Sequence, residues 1–456
     1  MSSSPQNRVQ PRTVKGFRDL EPDEAFAKSQ MMHGLGDLAR LHGFQSIATP
    51  ALEFAEVLLG SSGDETDKEV YRFDDPGGRA LALRFDLTVP FARYVAERQG
   101  AMTFPFKRFQ CDEVWRGEKP QKGRYRQFCQ ADFDIVGVDS WAADVEVMSL
   151  LQKGLAQFCG GPFTMRINSR PVLGAAIKRA YRGHELTEAE FHRALIAIDK
   201  KEKVGREAVT KMLLDIHAGS GAGVSELLDL MESGESGLDR LAAWVGSEQS
   251  SGGAGGEGGF AESWSRLLKT RDAVKAICAA SGGTTRVDLS VARGLGYYTG
   301  VVFETTLDEL PGFGAVASGG RYDRLVERFV NRNLPGVGGS IGVDRLLAGL
   351  QELGRIEKNS GRPAVVIAVA DPEALVFAHE VATKMRATGK VINVSVQIGA
   401  KQLGQQFKYA DRLGARFVLT IGESERLSNK FNWKDLSNGQ ELRGVSLDEC
   451  MEVLSR

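Results

Sequence analysis

Residues 106–137 carry the densest set of groups able to do chemistry. Two strand-like runs, 106–116 and 127–136, flank the loop Gly117 to Arg126, which predicts a hairpin with a long charged tip. At a period of two, Gln127 to Val136 places Cys129, Ala131, Phe133 and Ile135 on one side. Phe128, Gln130, Asp132 and Asp134 fall on the other. The tip gathers Arg116, Lys119, Lys122, Arg124 and Arg126 around Gly123. The planar donor fork of arginine suits a polyphosphate or an RNA backbone. The plain alternative is a solvated, charged hairpin end. The acid- and amide-bearing face beside it favours a site.

Two further stretches have unusual chemistry. In Asp288 to Glu304, DLSVARGLGYYTGVVFE, Arg293 sits among small and apolar residues, followed by Gly294, Gly296 and the pair Tyr297-Tyr298. An arginine so placed needs an anionic partner, either a ligand or a structural acid such as Asp288. In Gly336 to Leu346, GVGGSIGVDRL, four glycines weaken a strand unless something packs closely on it. Arg345 falls in the first turn of the helix that follows, where the helix dipole disfavours a cation; a site could compensate.

The elements that must hold these groups are legible in outline. A helix ends at Leu35 to Leu41, stopped by His42-Gly43, and Phe44 to Pro50 reads as a short strand. Residues 1–170 and 284–353 mix helix and strand patterns, whereas 171–283 are helical, as in Val209 to Ile216 and Val224 to Met231. The helical region is either an insertion between two halves of one core or a free-standing domain. Gly246 to Gly259 reads as a low-complexity loop. A polar linker at 354–363 leads to 364–456, where strands and helices alternate as βαβαβ, with a hairpin turn at Asn438-Gly439. Helix stops are expected at Gly389 and Gly414.

Composition excludes several classes. The 456 residues carry 58 Lys and Arg against 59 Asp and Glu, so any nucleic-acid contact must come from local basic patches. No apolar run reaches the ~18–20 residues that span a bilayer. The N-terminus lacks the apolar core of a secretory signal, and a cytoplasmic location is expected. The five cysteines form no CxxC pair and the six histidines are dispersed, so neither a disulfide framework nor a resident metal is expected. P-loop, GxGxxG and Ser-His-Asp patterns are absent.

The order of motifs resembles the class II aminoacyl-tRNA synthetases, and among them the histidyl-tRNA synthetase family. KGFRDL at Lys15 to Leu20 is similar to that family's N-terminal signature, and HGFQSIATPALE at His42 to Glu53 to its motif 1, a dimer-interface element. LRFDLTVPFARY (Leu83 to Tyr94) and EVWRGEKPQKGRYRQFCQADFDIVG (Glu113 to Gly137) resemble its amino-acid loop and motif 2. ARGLGYYTGVVFE and SGGRYD (Ser318 to Asp323) resemble the two histidine signatures, and GVGGSIGVDRL resembles motif 3. AIDKKEKVG (Ala197 to Gly205) and QFKYADRLGARFVLTIGE (Gln406 to Glu423) extend the likeness to nearly the whole chain.

The resemblance implies an α+β catalytic core on an antiparallel sheet with a helical insertion. It also implies a C-terminal α/β anticodon-binding domain with a small mixed sheet. Arg116 and Arg345 would hold ATP phosphates, Glu118 and Arg124 the adenine end and the bent triphosphate, and Phe128 would stack on adenine. Asp86, Thr88 and Gln130 would bind the α-amino group of histidine. Asp134, Tyr298 and Tyr322, with Tyr297 beside them, would surround the imidazole. Arg293 would bridge the histidine carboxylate and the α-phosphate and, with Arg116, count as catalytic. Gln121 and Arg126 would touch the tRNA acceptor end. Implied partners are ATP with its Mg²⁺, L-histidine, tRNA(His) and a second copy of the chain joined through residues around 42–54, which would cover a long exposed strand edge. Gly296 and Asp344 depart from the family's common acid and Glu. The rival reading is a non-catalytic synthetase-like regulator that senses histidine or uncharged tRNA.

Overall fold

In the computed structural model, residues 9–60, 67–246, 259–292, 296–357, 361–387, 393–399 and 402–454 are described. Most of the Gly/Ser-rich stretch read at 246–259, the helix stop at Gly389, part of the 354–363 linker and Arg293 lie outside these residues.

The two unlike faces of strand Gln127–Val136 suit it to the middle of a sheet, and it is paired on both sides. It runs antiparallel to Phe106–Trp115 and to Gly336–Gly342. Eight strands form the sheet, in the order Gln45–Ser46, Phe106–Trp115, Gln127–Val136, Gly336–Gly342, Ala317–Arg321, Val301–Leu307, Phe163–Ser169 and Gly283–Val287. Only the two outermost pairings are parallel; the rest are antiparallel. The hairpin bounds agree with the sequence to within a residue. The strand expected over Phe44 to Pro50 shrinks to Gln45–Ser46, so the free edge there is short rather than long.

The apolar face of Gln127–Val136 meets helix Trp141–Cys159, whose Val147, Met148, Leu150, Leu151 and Leu155 are buried. Its opposite face is left for the polar groups. Among the described residues six α-helices, from Arg170–Ala180 to Phe260–Ile277, lie between strands Phe163–Ser169 and Gly283–Val287. Those strands are neighbours in one sheet, so the helical region is an excursion out of a continuous core.

A second, three-stranded antiparallel sheet joins Leu52–Phe54, Ala80–Leu83 and Arg72–Asp74. Phe54 and Phe73 both lie opposite Leu81, and both are exposed.

By contact density the chain divides into two units: Gln30–Arg355 with the segment up to Asp19, and Leu20–Ser29 with Ile356–Arg456. The second unit has a five-stranded mixed sheet in the order Val394–Val396, Val365–Val369, Phe417–Ile421, Phe431–Asp435 and Glu441–Val445. The first three strands are parallel and the last two antiparallel. Gly414 closes helix Leu403–Leu413 in the left-handed conformation, as expected for a C-terminal glycine. Among the described residues no helix is long and apolar enough to cross a membrane.

Candidate active site

The polar face of the hairpin opens into a cavity of about 150 Å³. Asp86, Thr88, Gln130, Tyr297, Tyr298 and Tyr322 line it, together with Asp132 and Ser340. Asp86 precedes helix Thr88–Arg98, and its Oδ1 accepts from the Val89 N–H at 3.0 Å. Its Oδ2 is buried and finds no donor. Gln130 donates to Ser340 Oγ at 2.9 Å, which leaves its Oε1 without a donor, and Asp132 Oδ1 is orphaned in the same way. Buried acceptors are normally satisfied. Three unsatisfied ones around one small cavity therefore call for a ligand rich in N–H groups.

Burial dominates the electrostatics. It pushes the Asp86 carboxyl upward and that of Asp132 up to about 7, with Arg108 pulling the other way. Tyr322 and Asp134 are both fully buried, and the Tyr322 hydroxyl donates to Asp134 Oδ1. Arg108 Nε lies 2.9 Å from Asp134 Oδ2, an ion-pair distance without hydrogen-bond geometry. Burial, then the neighbouring carboxylate of Asp134, raises the Tyr322 phenol well above its ordinary range, so it stays a donor.

Three of the four glycines expected to admit a close neighbour do so; at Gly342 a Cβ would make only an ordinary contact, 3.4 Å from Arg345 Cβ. Gly338 stands opposite Asp134 across the strand pair, and a Cβ there would overlap the Asp134 carboxylate. A Cβ at Gly336 would meet the Tyr322 ring at 2.5 Å, and one at Gly320 the Tyr298 ring at 2.7 Å.

A larger cavity of about 320 Å³ adjoins the first, and Arg116 and Ser318 line both. Glu118, Arg124, Phe128 and Arg345 are on its wall. Arg116 is sandwiched between the rings of Phe85 (4.4 Å) and Phe128 (5.0 Å), and its Nε donates to the Phe85 carbonyl. Glu118 faces Arg124 at 3.3 Å. Arg345 donates to the carbonyls of Gly123 and Phe313, so the hairpin tip folds back over the cavity. Burial, then the Arg124 charge, lowers Arg345 to about 10, an unfavourable placement that an anionic ligand would relieve. The helical excursion adds Asp199, Glu202 and Lys203 to the wall, with Glu202 paired to Arg166.

The expected residues therefore come together with specific exceptions. Asp134 is not among the residues lining the cavity, though Tyr322, which donates to it, and Gly338, which stands opposite it, are; Asp132, itself buried, lines it instead. Arg126 is spent on the carbonyls of Glu118 and Lys15, fastening the hairpin to the N-terminal segment. Gln121 is exposed at the tip. Asp288, the acid considered for Arg293, lies 3.6 Å from Arg166. The sequence reading missed Arg108, Asp132 and Ser340 as site groups. A signal existed: Arg108, Gln110 and Asp112 share one parity of their strand, opposite Asp134, Asp132 and Gln130. Asp344, the departure in motif 3, accepts from the Cys129 N–H at 2.7 Å and stands 3.6 Å from Arg18. It ties three of the motifs together.

A largely antiparallel sheet with paired polar cavities joined at a half-buried arginine defines the catalytic core of a class II aminoacyl-tRNA synthetase. The family profile described as Histidyl-tRNA synthetase matches residues 16–346, and that described as Anticodon binding domain matches 364–456. A histidine–tRNA ligase of Wolinella succinogenes is 37% identical over 451 residues, covering 98% of both chains. One of Rhodopirellula baltica is 40% identical over 420 residues, 91% of each. The crystal structure of histidyl-tRNA synthetase from Nostoc sp. PCC 7120 superposes with a TM-score of 0.81 at 30% identity, over 98% of this chain and 100% of that one. The chain belongs to the histidyl-tRNA synthetase family.

Proposed function

We propose that this protein joins L-histidine to tRNA(His) in two steps: formation of histidyl-adenylate from ATP, then transfer to the tRNA 3′ end. One observation carries the reading: a small cavity with three orphaned buried acceptors shares Arg116 with a larger, arginine-lined one. An ammonium group supplies the donors that Asp86 and Gln130 lack. The larger cavity takes the nucleotide, with Phe128 against adenine and Arg116, Arg124 and Arg345 around the phosphates. The amino-acid carboxylate then meets the α-phosphate at Arg116, where its oxygen attacks phosphorus and pyrophosphate leaves. Such a step depends on alignment and charge neutralisation more than on a general base. The resemblance gives Arg293 the related task of bridging the histidine carboxylate and the α-phosphate.

Mg²⁺ arrives on the ATP phosphates. Glu118 and Glu304 on the cavity wall already face Arg124 and Arg166. Gln121 at the hairpin tip is suited to the tRNA acceptor end, and residues 364–456 to the anticodon. The exposed Phe54 and Phe73 beside Leu81 support a homodimer through this small sheet, because an apolar row of this kind is normally covered. We place the protein in the cytoplasm.

The regulatory reading needs a histidine cavity but no phosphate-binding arginines, and here Arg116, Arg124 and Arg345 all line the second cavity. Histidine-dependent ATP–pyrophosphate exchange by the purified protein is the test. Histidine binding without exchange would favour the regulator.

A further inference from the structure

We propose that Cys111 and Cys129 form a reversible disulfide under oxidant, and that this bond slows catalysis by shifting the strand that serves both cavities.

All five cysteines are free thiols in the structure. Cys111 and Cys129 belong to the two strands of the hairpin, and their Sγ atoms lie 3.5 Å apart. Ala131 stands directly opposite Cys111, and Glu113 opposite Cys129, so the two thiols are diagonal neighbours across the ladder. Cys111 is half-buried and Cys129 fully buried. A reachable thiol backed by a second one is the arrangement of a redox-sensing pair. Hydrogen peroxide meets Cys111 first. The Cys111 sulfur attacks one peroxide oxygen, the O–O bond breaks, and water leaves a sulfenic acid. The Cys129 sulfur then attacks the Cys111 sulfur, and the hydroxyl departs as a second water. Two thiols give up two electrons and two protons, and one peroxide becomes two waters. The other three cysteines are buried. Burial pushes their thiols upward, to about 12 for Cys159 and Cys450, which makes them poor nucleophiles.

The bond cannot close without moving backbone. A disulfide brings its sulfurs to about 2.0 Å and its Cα atoms to about 4.4–6.8 Å. Diagonal neighbours on paired strands stand about 7–8 Å apart. Residues 111 and 129 are therefore drawn together, and Cys129 is tied to the site from three sides. Its N–H donates to Asp344 Oδ2 at 2.7 Å, in the first turn of the helix Val343–Glu352 that carries Arg345. Its chain neighbours Phe128 and Gln130 line the larger and the smaller cavity. A shift of order 1 Å in a substrate-positioning wall can cost about 10²-fold in rate. In a reducing compartment such a bond is transient, made under oxidant and removed by thiols.

The test treats the full-length reduced protein with hydrogen peroxide and follows three readouts together. Thiols titrated after denaturation should fall from five to three. A peptide map without reductant should show Cys111 joined to Cys129. Pyrophosphate exchange should slow about 10–100-fold in step with the cross-link, and dithiothreitol should restore it. Cys111→Ser should have the untreated wild-type rate and keep it in peroxide; Cys111→Ala takes its place if the serine variant does not fold. Five thiols persisting in peroxide overturn the proposal, as does a cross-link to any other cysteine. A Cys111–Cys129 bond with an unchanged rate overturns it too, and so does equal inactivation of the Cys111 variant. The rate arm rests on the ligase reading above. Reduced protein without any exchange would sink that reading, while the thiol count and the peptide map would still decide the bond.

Discussion

Replacing Gly338 by alanine puts a methyl group where the structure has the carboxylate of Asp134. A Cβ at 338 overlaps Asp134 Oδ1, lies 2.5 Å from its Cγ and 3.2 Å from Tyr322 Cε1. Asp134 cannot turn aside without leaving the Tyr322 hydroxyl and Arg108, which hold it from two directions. Overpacking a core typically costs about 1–3 kcal/mol, and a lost hydrogen bond to a charged group about 1.5–3 kcal/mol. Partial relaxation should leave roughly 2–4 kcal/mol of destabilisation. At about 2–4 °C per kcal/mol, the thermal midpoint of Gly338→Ala should fall by roughly 4–16 °C. Because Tyr322 lines the smaller cavity and Gly338 does not line the larger, the histidine KM should rise about 10–100-fold while the ATP KM stays near wild type. Gly36→Ala is the control. It sits in helix Pro22–Leu41, and its nearest neighbour would be Phe109 Cε1 at 3.5 Å, an ordinary contact. That change should stabilise by about 0.5–1 kcal/mol. Differential scanning fluorimetry and pyrophosphate exchange read both effects. A Gly338→Ala protein with wild-type midpoint and histidine KM would refute the packing of Asp134 and Tyr322 on the glycine strand. A lowered midpoint with unchanged histidine kinetics would separate that packing from substrate binding.

Removing one preorganised charge from the phosphate side should slow adenylate formation by about 10²–10³. Arg345→Met and Arg293→Ala are both expected to do so in single-turnover assays, and full activity in either removes that residue from the mechanism. Phe54→Asp places a charge in the exposed Phe54–Leu81–Phe73 row and should shift the mass measured by light scattering from dimer to monomer. An unchanged mass would move the interface elsewhere. A raised folded-state carboxyl contributes stability that is full below the unfolded pKa, near 4, and is lost as pH rises through the folded value. For Asp132 that window runs from about 4 to about 7. The midpoint of Asp132→Asn minus that of wild type should therefore grow as pH rises across it, measured without histidine. A flat difference would mean that Asp132 titrates normally.

Period-two alternation and the glycine pattern were enough to outline the hairpin, its polar face and the need for something to pack against Gly336–Gly342, because these follow from strand geometry within a single segment. The βαβ order likewise announced a small parallel or mixed sheet in the second unit, and the sheet is mixed. The strand expected over Phe44 to Pro50 was less secure: its parallel pairing with Phe106–Trp115 covers two residues, and pairing length is set by a partner sixty residues away. The site was divided in the same manner. Motif order, through the resemblance, picked out Arg116, Gln130, Tyr322 and Arg345, and all four line one or both of the two cavities. Which acid faces the cavity could not be read along the chain. Asp132 and Asp134 share one face of one strand and are alike in sequence terms. What separates them is the Tyr322 hydroxyl, delivered from a different strand end, and Arg108 from across the hairpin. Side-chain parity is a local property and the sequence states it; burial and the pairing of charges depend on which distant segments close over each position, and only the assembled sheet decides that.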